Sequence, residues 1–292
     1  MTAGSYGTMH IRLASAYLLA VGGLGVTAPH RLAVVDQGLA QPEALSYAAA
    51  VDAYFISNVN GDIGVKDNNG FITRIRGDGT VDSLHFIQGG RNGVTLNGPM
   101  GSRVKGDTLW VLDVDVLRGF DIRTGAPLAA IDFGRFQPGF LNDVAIGPDN
   151  DFYVTDTKAS RIFHVGRDRS ITVAVSGPAL ALPDGIDWEP AHKALLLAPF
   201  GGNAVQRWAP GAAQPTDVAP GKSKFDGIEV EKDGTVFITS WNDSSVSVLK
   251  GSTLEPRVTG LSFPPADVSY DSHRNRVGVV SLTANRFELW SL

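Results

Sequence analysis

The 292-residue chain contains no cysteine, which excludes disulfides, thiolate zinc sites, iron–sulfur clusters and a cysteine nucleophile. Any metal must therefore be held by oxygen or imidazole. A basic tract is also missing. The 25 Lys and Arg stand against 30 Asp and Glu, a net charge of −5, so the electrostatic footprint of a nucleic-acid or anionic-lipid binder is absent. Charged residues make up only 19% of the chain and apolar residues 43%, which is material for a large core and not the composition of a disordered chain. Helical periodicity is scarce, while short alternating or continuous β runs are frequent.

No apolar stretch approaches the ~20 residues of a membrane span. The run Leu13 to Leu24 follows His10 and Arg12 and precedes Val26-Thr27-Ala28, in the order of a secretory leader: basic region, short apolar region, small-residue cleavage site. Residues 1–28 are therefore expected to be a signal peptide, and residues 29–292 an exported domain, periplasmic or secreted. Gly23-Leu24-Gly25-Val26-Thr27-Ala28 matches a dinucleotide fingerprint only formally, because Pro29 and an apolar strand follow where that fold needs a helix.

The remaining chain repeats. Apolar runs begin at Tyr54, Leu109, Phe152, Leu195, Val236 and Val277, and from the second onward they are 43, 43, 41 and 41 residues apart. Aligning the shorter runs before them puts Glu43, Met100, Asn142, Asp184, Asp226 and Ala266 in one frame position, separated by 57, 42, 42, 42 and 40 residues. Turn pairs such as Asp78-Gly79 and Asp233-Gly234 divide each repeat into four short strands. Four-stranded units of this period predict an all-β, six-bladed β-propeller with four-stranded blades; a β-sandwich gives no reason for the period. The last repeat has room for three strands, so the run Arg31 to Asp36 is expected to supply its outer strand and close the ring. Blade 1 carries a polar, turn-rich surplus around Asn58 to Gly70, either a binding loop or a plain insertion.

Equivalent positions of successive blades lie on a circle about the axis, so frame residues can converge at one mouth of the channel. Glu43, Asn142, Asp184 and Asp226 offer three carboxylates and an amide oxygen, a hard-oxygen set suited to Ca²⁺, or to Mg²⁺ or Mn²⁺. Turn chemistry also favours Asp-Gly and Asn-Asp pairs, but it does not account for their shared phase. Neither a G-x-S-x-G elbow nor an H-E-x-x-H motif occurs, and the six histidines are scattered; a serine triad assembled from distant residues stays open.

Pro42-Glu43, Leu141-Asn142-Asp143-Val144, Pro183-Asp184-Gly185-Ile186 and Phe225-Asp226-Gly227-Ile228 carry a resemblance to the SMP-30/gluconolactonase/LRE-like family of six-bladed propellers, covering most of the chain after residue 28. The resemblance implies that Glu43, Asn142, Asp184 and Asp226 surround a catalytic divalent ion. It also marks two departures: the blade 4 ligand is usually Asn where this chain has Asp184, and sugar lactonases of the family tend to carry Arg where this chain has Phe140. A less polar lactone or ester is thus expected in place of gluconolactone. Metal-assisted hydrolysis follows, with Asp226 as first choice of proton acceptor and Asp184 as second. Phe140, Asn60, Asn97 and Trp241 are candidate pocket residues from their places beside frame positions or at the ends of second strands. The competing expectation is a non-catalytic exported propeller whose ion serves structure while it binds a ligand or protein.

Overall fold

A computed structural model describes residues 1–2 and 28–292; the expected leader falls almost entirely on residues outside these. Among the described residues the chain is all β apart from two single-turn 3₁₀ helices, Gly134–Phe136 and Pro178–Leu180. Its strands form six four-stranded antiparallel sheets. The innermost strands are Pro42–Ala48, Pro99–Lys105, Leu141–Ile146, Pro183–Glu189, Phe225–Val230 and Val268–Asp271, and each packs against the inner strands of both neighbouring blades. The result is a closed six-bladed propeller.

The apolar runs read as continuous, not alternating, because their strands are covered on both faces. In Ala194–Pro199, Leu195 and Leu197 pack toward blade 3 while Leu196 and Ala198 pack toward blade 5. The core is correspondingly divided into six apolar clusters, one at each blade interface. The predicted turns form as expected: Gly79 at φ 91° and Gly234 at φ 87° occupy a backbone region open to glycine. They donate to Arg76 O at 2.8 Å and to Glu231 O at 2.9 Å.

His30–Val35 joins the last blade as its outermost strand, antiparallel to Arg286–Ser291. Arg31 reinforces the closure with an ion pair to the buried Glu288 at 2.9 Å. Without this strand, Arg286–Ser291 would present an unpaired row of backbone groups. Truncation through Val35 is therefore predicted to lower the melting temperature and to produce self-association by light scattering; a truncated chain that stays monomeric with an unchanged melting temperature would refute the closing role.

Candidate metal centre

The inner strands do not run straight into the channel. Pairing with the second strand slips between Pro42 and Leu45, Pro99 and Ser102, Leu141 and Val144, Pro183 and Gly185, and Phe225 and Ile228. A bulge bends a strand and re-aims the side chain at the irregularity, and in all these blades the frame residue sits there. Asp184-Gly185 and Asp226-Gly227 accordingly lie inside strands, not in turns. Their glycines have a steric reason: a Cβ at Gly185 would run into Asp226 O, and one at Gly227 into Asp267. Absence of that atom lets adjacent inner strands approach, and Thr155 and Thr239 on second strands secure the approach. Thr155 Oγ1 donates to Asp184 O at 2.8 Å and Thr239 Oγ1 to Ala266 O at 2.7 Å.

One carboxylate oxygen from each of Glu43, Asp184 and Asp226 lies within 4.8 Å of the others, and all three residues are buried. Asn142 lines the same narrow axial space. Among the described residues, Glu43 Oε2 and Asn142 Oδ1 are buried with no hydrogen-bond partner, a condition that buried polar groups rarely tolerate. Burial, then the carboxylates of Asp184, Asp267 and Asp143, push the Glu43 carboxyl well above its ordinary range. Burial, then Asp143 and Asp267, raise Asp184. Burial, Asp184, Glu43 and Asp267 raise Asp226, while the Trp241 indole opposes them. Unpartnered oxygens, crowded negative charge and the hard-oxygen donor set all fit a divalent cation.

Further along the channel the protein supplies its own cation. The Arg103 side chain, three residues past the blade 2 frame position, is 11% exposed and reaches across to blades 4 and 5, donating to Ile228 O at 2.7 Å and Ile186 O at 3.4 Å. Burial opposes its charge, but Asp143, Asp187, Asp267 and Glu229 outweigh that and raise its pKa. These carboxylates are anchored by backbone: Asp143 accepts from Ile186 N at 3.0 Å, Asp267 from Leu45 N at 2.8 Å and Asp187 from Val230 N at 2.7 Å. Asp143 falls within the Leu141–Val144 motif, but Asp187 and Asp267 carry no sequence signal beyond standing three and one residues past frame positions.

Above the frame residues opens a cavity of about 250 Å³ whose walls include Ile63, Met100, Phe140, Phe200, Trp241 and Leu282 and whose floor includes Glu43, Asn142, Asp184 and Asp226. Of the four sequence-suggested pocket residues, Phe140 and Trp241 line this space, and Trp241 Nε1 donates to Asp226 Oδ2 at 2.6 Å. Asn60 and Asn97 are placed elsewhere. Asn60 Nδ2 donates to Asn69 O at 2.9 Å. Asn97 spends its amide on Asp113 at 3.0 Å and on Asn68 N at 3.1 Å, bracing the blade 1 insertion. Lys158 also reaches the cavity, its ammonium 5.6 Å from the Phe140 ring centre.

No family model and no curated protein matches this sequence. Solved structures do share the fold. A gluconolactonase from Xanthomonas campestris is 16% identical, with 90% of this chain and 91% of that one covered at a TM-score of 0.67. A streptogramin B lyase is 12% identical, with 90% and 97% covered at 0.64. A luciferin-regenerating enzyme is 10% identical, with 90% and 94% covered at 0.62. The likeness expected from the sequence therefore holds at the level of the propeller fold, which serves more than one chemistry.

Two predictions follow from the charge distribution. Because the folded chain holds protons on Glu43, Asp184 and Asp226 above their unfolded values near ~4, ion-free stability is present below that pH and is lost as pH rises through the raised values. Excess calcium should reverse this trend, so the difference between urea melts with calcium and with EDTA should widen as pH rises above about 4; a constant difference would refute the assignment. Arg103→Met should destabilise the fold by about 3 to 5 kcal/mol by leaving buried carboxylates unpaired, with partial recovery on acidification. A loss under about 1 kcal/mol, independent of pH, would show that the guanidinium is not their counter-charge.

Proposed function

We propose that this propeller is a divalent-metal-dependent hydrolase of a lactone or simple ester of low polarity. The observation that carries the reading is the pair of partnerless oxygens, Glu43 Oε2 and Asn142 Oδ1, standing with two further carboxylates at the floor of an apolar cavity. Glu43, Asn142, Asp184 and Asp226 would hold the ion, and their oxygen chemistry favours Ca²⁺ over softer metals, with Mg²⁺ or Mn²⁺ as substitutes. An ion bound there would supply Lewis acidity toward an ester carbonyl and acidify water.

The chain's own groups supply the rest. Asp226 is the proton acceptor we favour: its carboxylate borders the cavity, and the Trp241 indole N–H fixes one of its oxygens. That hydrogen bond favours the ionised form against the burial and like charges that oppose it. Asp184 is the second candidate, while Glu43 and Asn142 mainly position the ion. The walls of Met100, Phe140, Phe200 and Leu282 displace water from a bound substrate and strengthen the electrostatics at the floor. They offer few partners for sugar hydroxyls, in keeping with Phe140 in place of an arginine, so the preferred ester is less polar than gluconolactone. The fold shared with a gluconolactonase is consistent with this chemistry. On the leader pattern alone, we place the reaction outside the cytoplasm.

A purely structural ion would have its coordination completed by protein groups, whereas here the floor faces a cavity. The deciding assay is hydrolysis of a panel of lactones and aryl esters with calcium or EDTA, on wild type and Asp226→Asn. Turnover should vanish with EDTA, return with calcium, and fall by about 10² to 10⁴ in kcat for the variant. Absence of metal-sensitive turnover on every substrate would favour the binding-protein reading.

A further inference from the structure

The connections between second and third strands surround the mouth of the channel, and they are unequal. In blades 3 to 6 they span 157–160, 200–203, 241–244 and 282–285, four residues each, but in blade 2 only residues 114–115, and in blade 1 residues 59–70. The mouth thus has a low wall at blade 2 beside a tall one at blade 1. The tall loop leans over the gap: Lys66 Nζ lies 2.6 Å from Asp115 Oδ2, tying the insertion to the shortened turn. Under this bridge is a second chamber of about 270 Å³, whose walls mix hydrocarbon from Val114, Pro138 and Leu141 with backbone at Gly98 and the polar side chains of Asp115 and Gln137. Ile63, Met100 and Phe140 line both this chamber and the cavity above the frame carboxylates. Neither space alone reaches the roughly 300 to 1,000 Å³ of small-molecule sites, whereas the two together do.

From this juxtaposition, and resting on the hydrolase reading above, we infer that the site is bipartite. The ester group lies over the frame carboxylates, and an extended apolar substituent passes between Ile63, Met100 and Phe140 into the side chamber under the blade 1 insertion. The substrate class is accordingly a lactone or ester bearing a chain of several carbons, not a compact polar ring. The three shared side chains suit such a passage. Each presents hydrocarbon, and Met100, unbranched and with three rotatable bonds, adapts its shape to an occupant more readily than a β-branched residue.

The test is chain-length dependence with the chamber open and filled. Aryl esters from acetate to octanoate, assayed with calcium, should gain about three- to fourfold in kcat/KM for each of the first methylenes that enters the chamber. Gly98→Leu fills the chamber from its own wall. A Cβ there meets Val59 Cγ1 at 3.6 Å, an ordinary contact, so the backbone accepts a side chain; the variant should reduce the octanoate-to-acetate ratio at least tenfold. Methyl ketones of the same lengths, titrated by tryptophan fluorescence, read binding without hydrolysis, and their Kd should fall with chain length in wild type but not in Gly98→Leu. Flat chain-length profiles in wild type for both probes would overturn the inference, as would a ratio unaffected in a folded Gly98→Leu. If no ester is turned over while the ketones still show the expected profile, the hydrolase reading fails and the chamber stands. If esters are hydrolysed with no length preference and short and long ketones bind alike, the chamber fails and the hydrolase reading stands.

Discussion

Convergence of like charge on the propeller axis is the constraint from which the rest of the molecule follows. Glu43, Asp184 and Asp226 bring carboxylate oxygens within 4.8 Å of one another in a buried setting, and Asp143 and Asp267 stand directly behind them. Such a group is stable only if it is protonated or if positive charge is supplied. The protein answers differently at two depths. Deep in the channel a covalently attached guanidinium, Arg103, spans from blade 2 to carbonyls of blades 4 and 5. At the mouth, among the described residues, no side-chain cation pairs with the frame carboxylates, and Glu43 Oε2 and Asn142 Oδ1 have no hydrogen-bond partner. On the function proposed above, an exchangeable ion would serve where substrate is met, while the fixed guanidinium serves the architecture.

Much of this arrangement was legible in the sequence because it repeats. The spacing of the frame residues is a property of the blade, so Glu43, Asn142, Asp184 and Asp226 could be aligned before any coordinate was known. The closing strand could be anticipated because the last repeat was one strand short. What periodicity does not encode is local deviation from it. The bulges that turn frame residues toward the axis appear only in the pairing register. Asn97 looked like a pocket residue by position, yet its amide is consumed by Asp113 and the insertion. Arg103 was invisible as a functional group because a lone arginine in a strand carries no signal until the channel around it is drawn. Position in the repeat marks Trp241 only as a candidate pocket residue. Its hydrogen bond to Asp226 depends on a rotamer that sequence cannot specify.

The architecture separates two tasks. Acidic and amide groups sit on inner strands, held by close backbone approach at Gly185 and Gly227 and by threonines bridging successive blades. Much of the apolar surroundings comes from the turns between second and third strands, which contribute Ile63, Phe200, Trp241 and Leu282, joined by Met100 on an inner strand and Phe140 just before one. Inner-strand geometry is fixed by packing on both sides, so its spacing has little freedom. Turn length varies from two residues to twelve around a single ring, which reshapes the mouth without disturbing the charged floor.

The pairing of His30–Val35 with Arg286–Ser291 has a consequence for how the molecule comes into being. Contacts so remote along the polypeptide carry a large loop-closure entropy and form late. A nascent chain emerging from the ribosome can assemble its middle blades in order. It cannot finish the circle until residues near 290 have been made, so His30–Val35 must wait for its partner strand while more than two hundred intervening residues are translated.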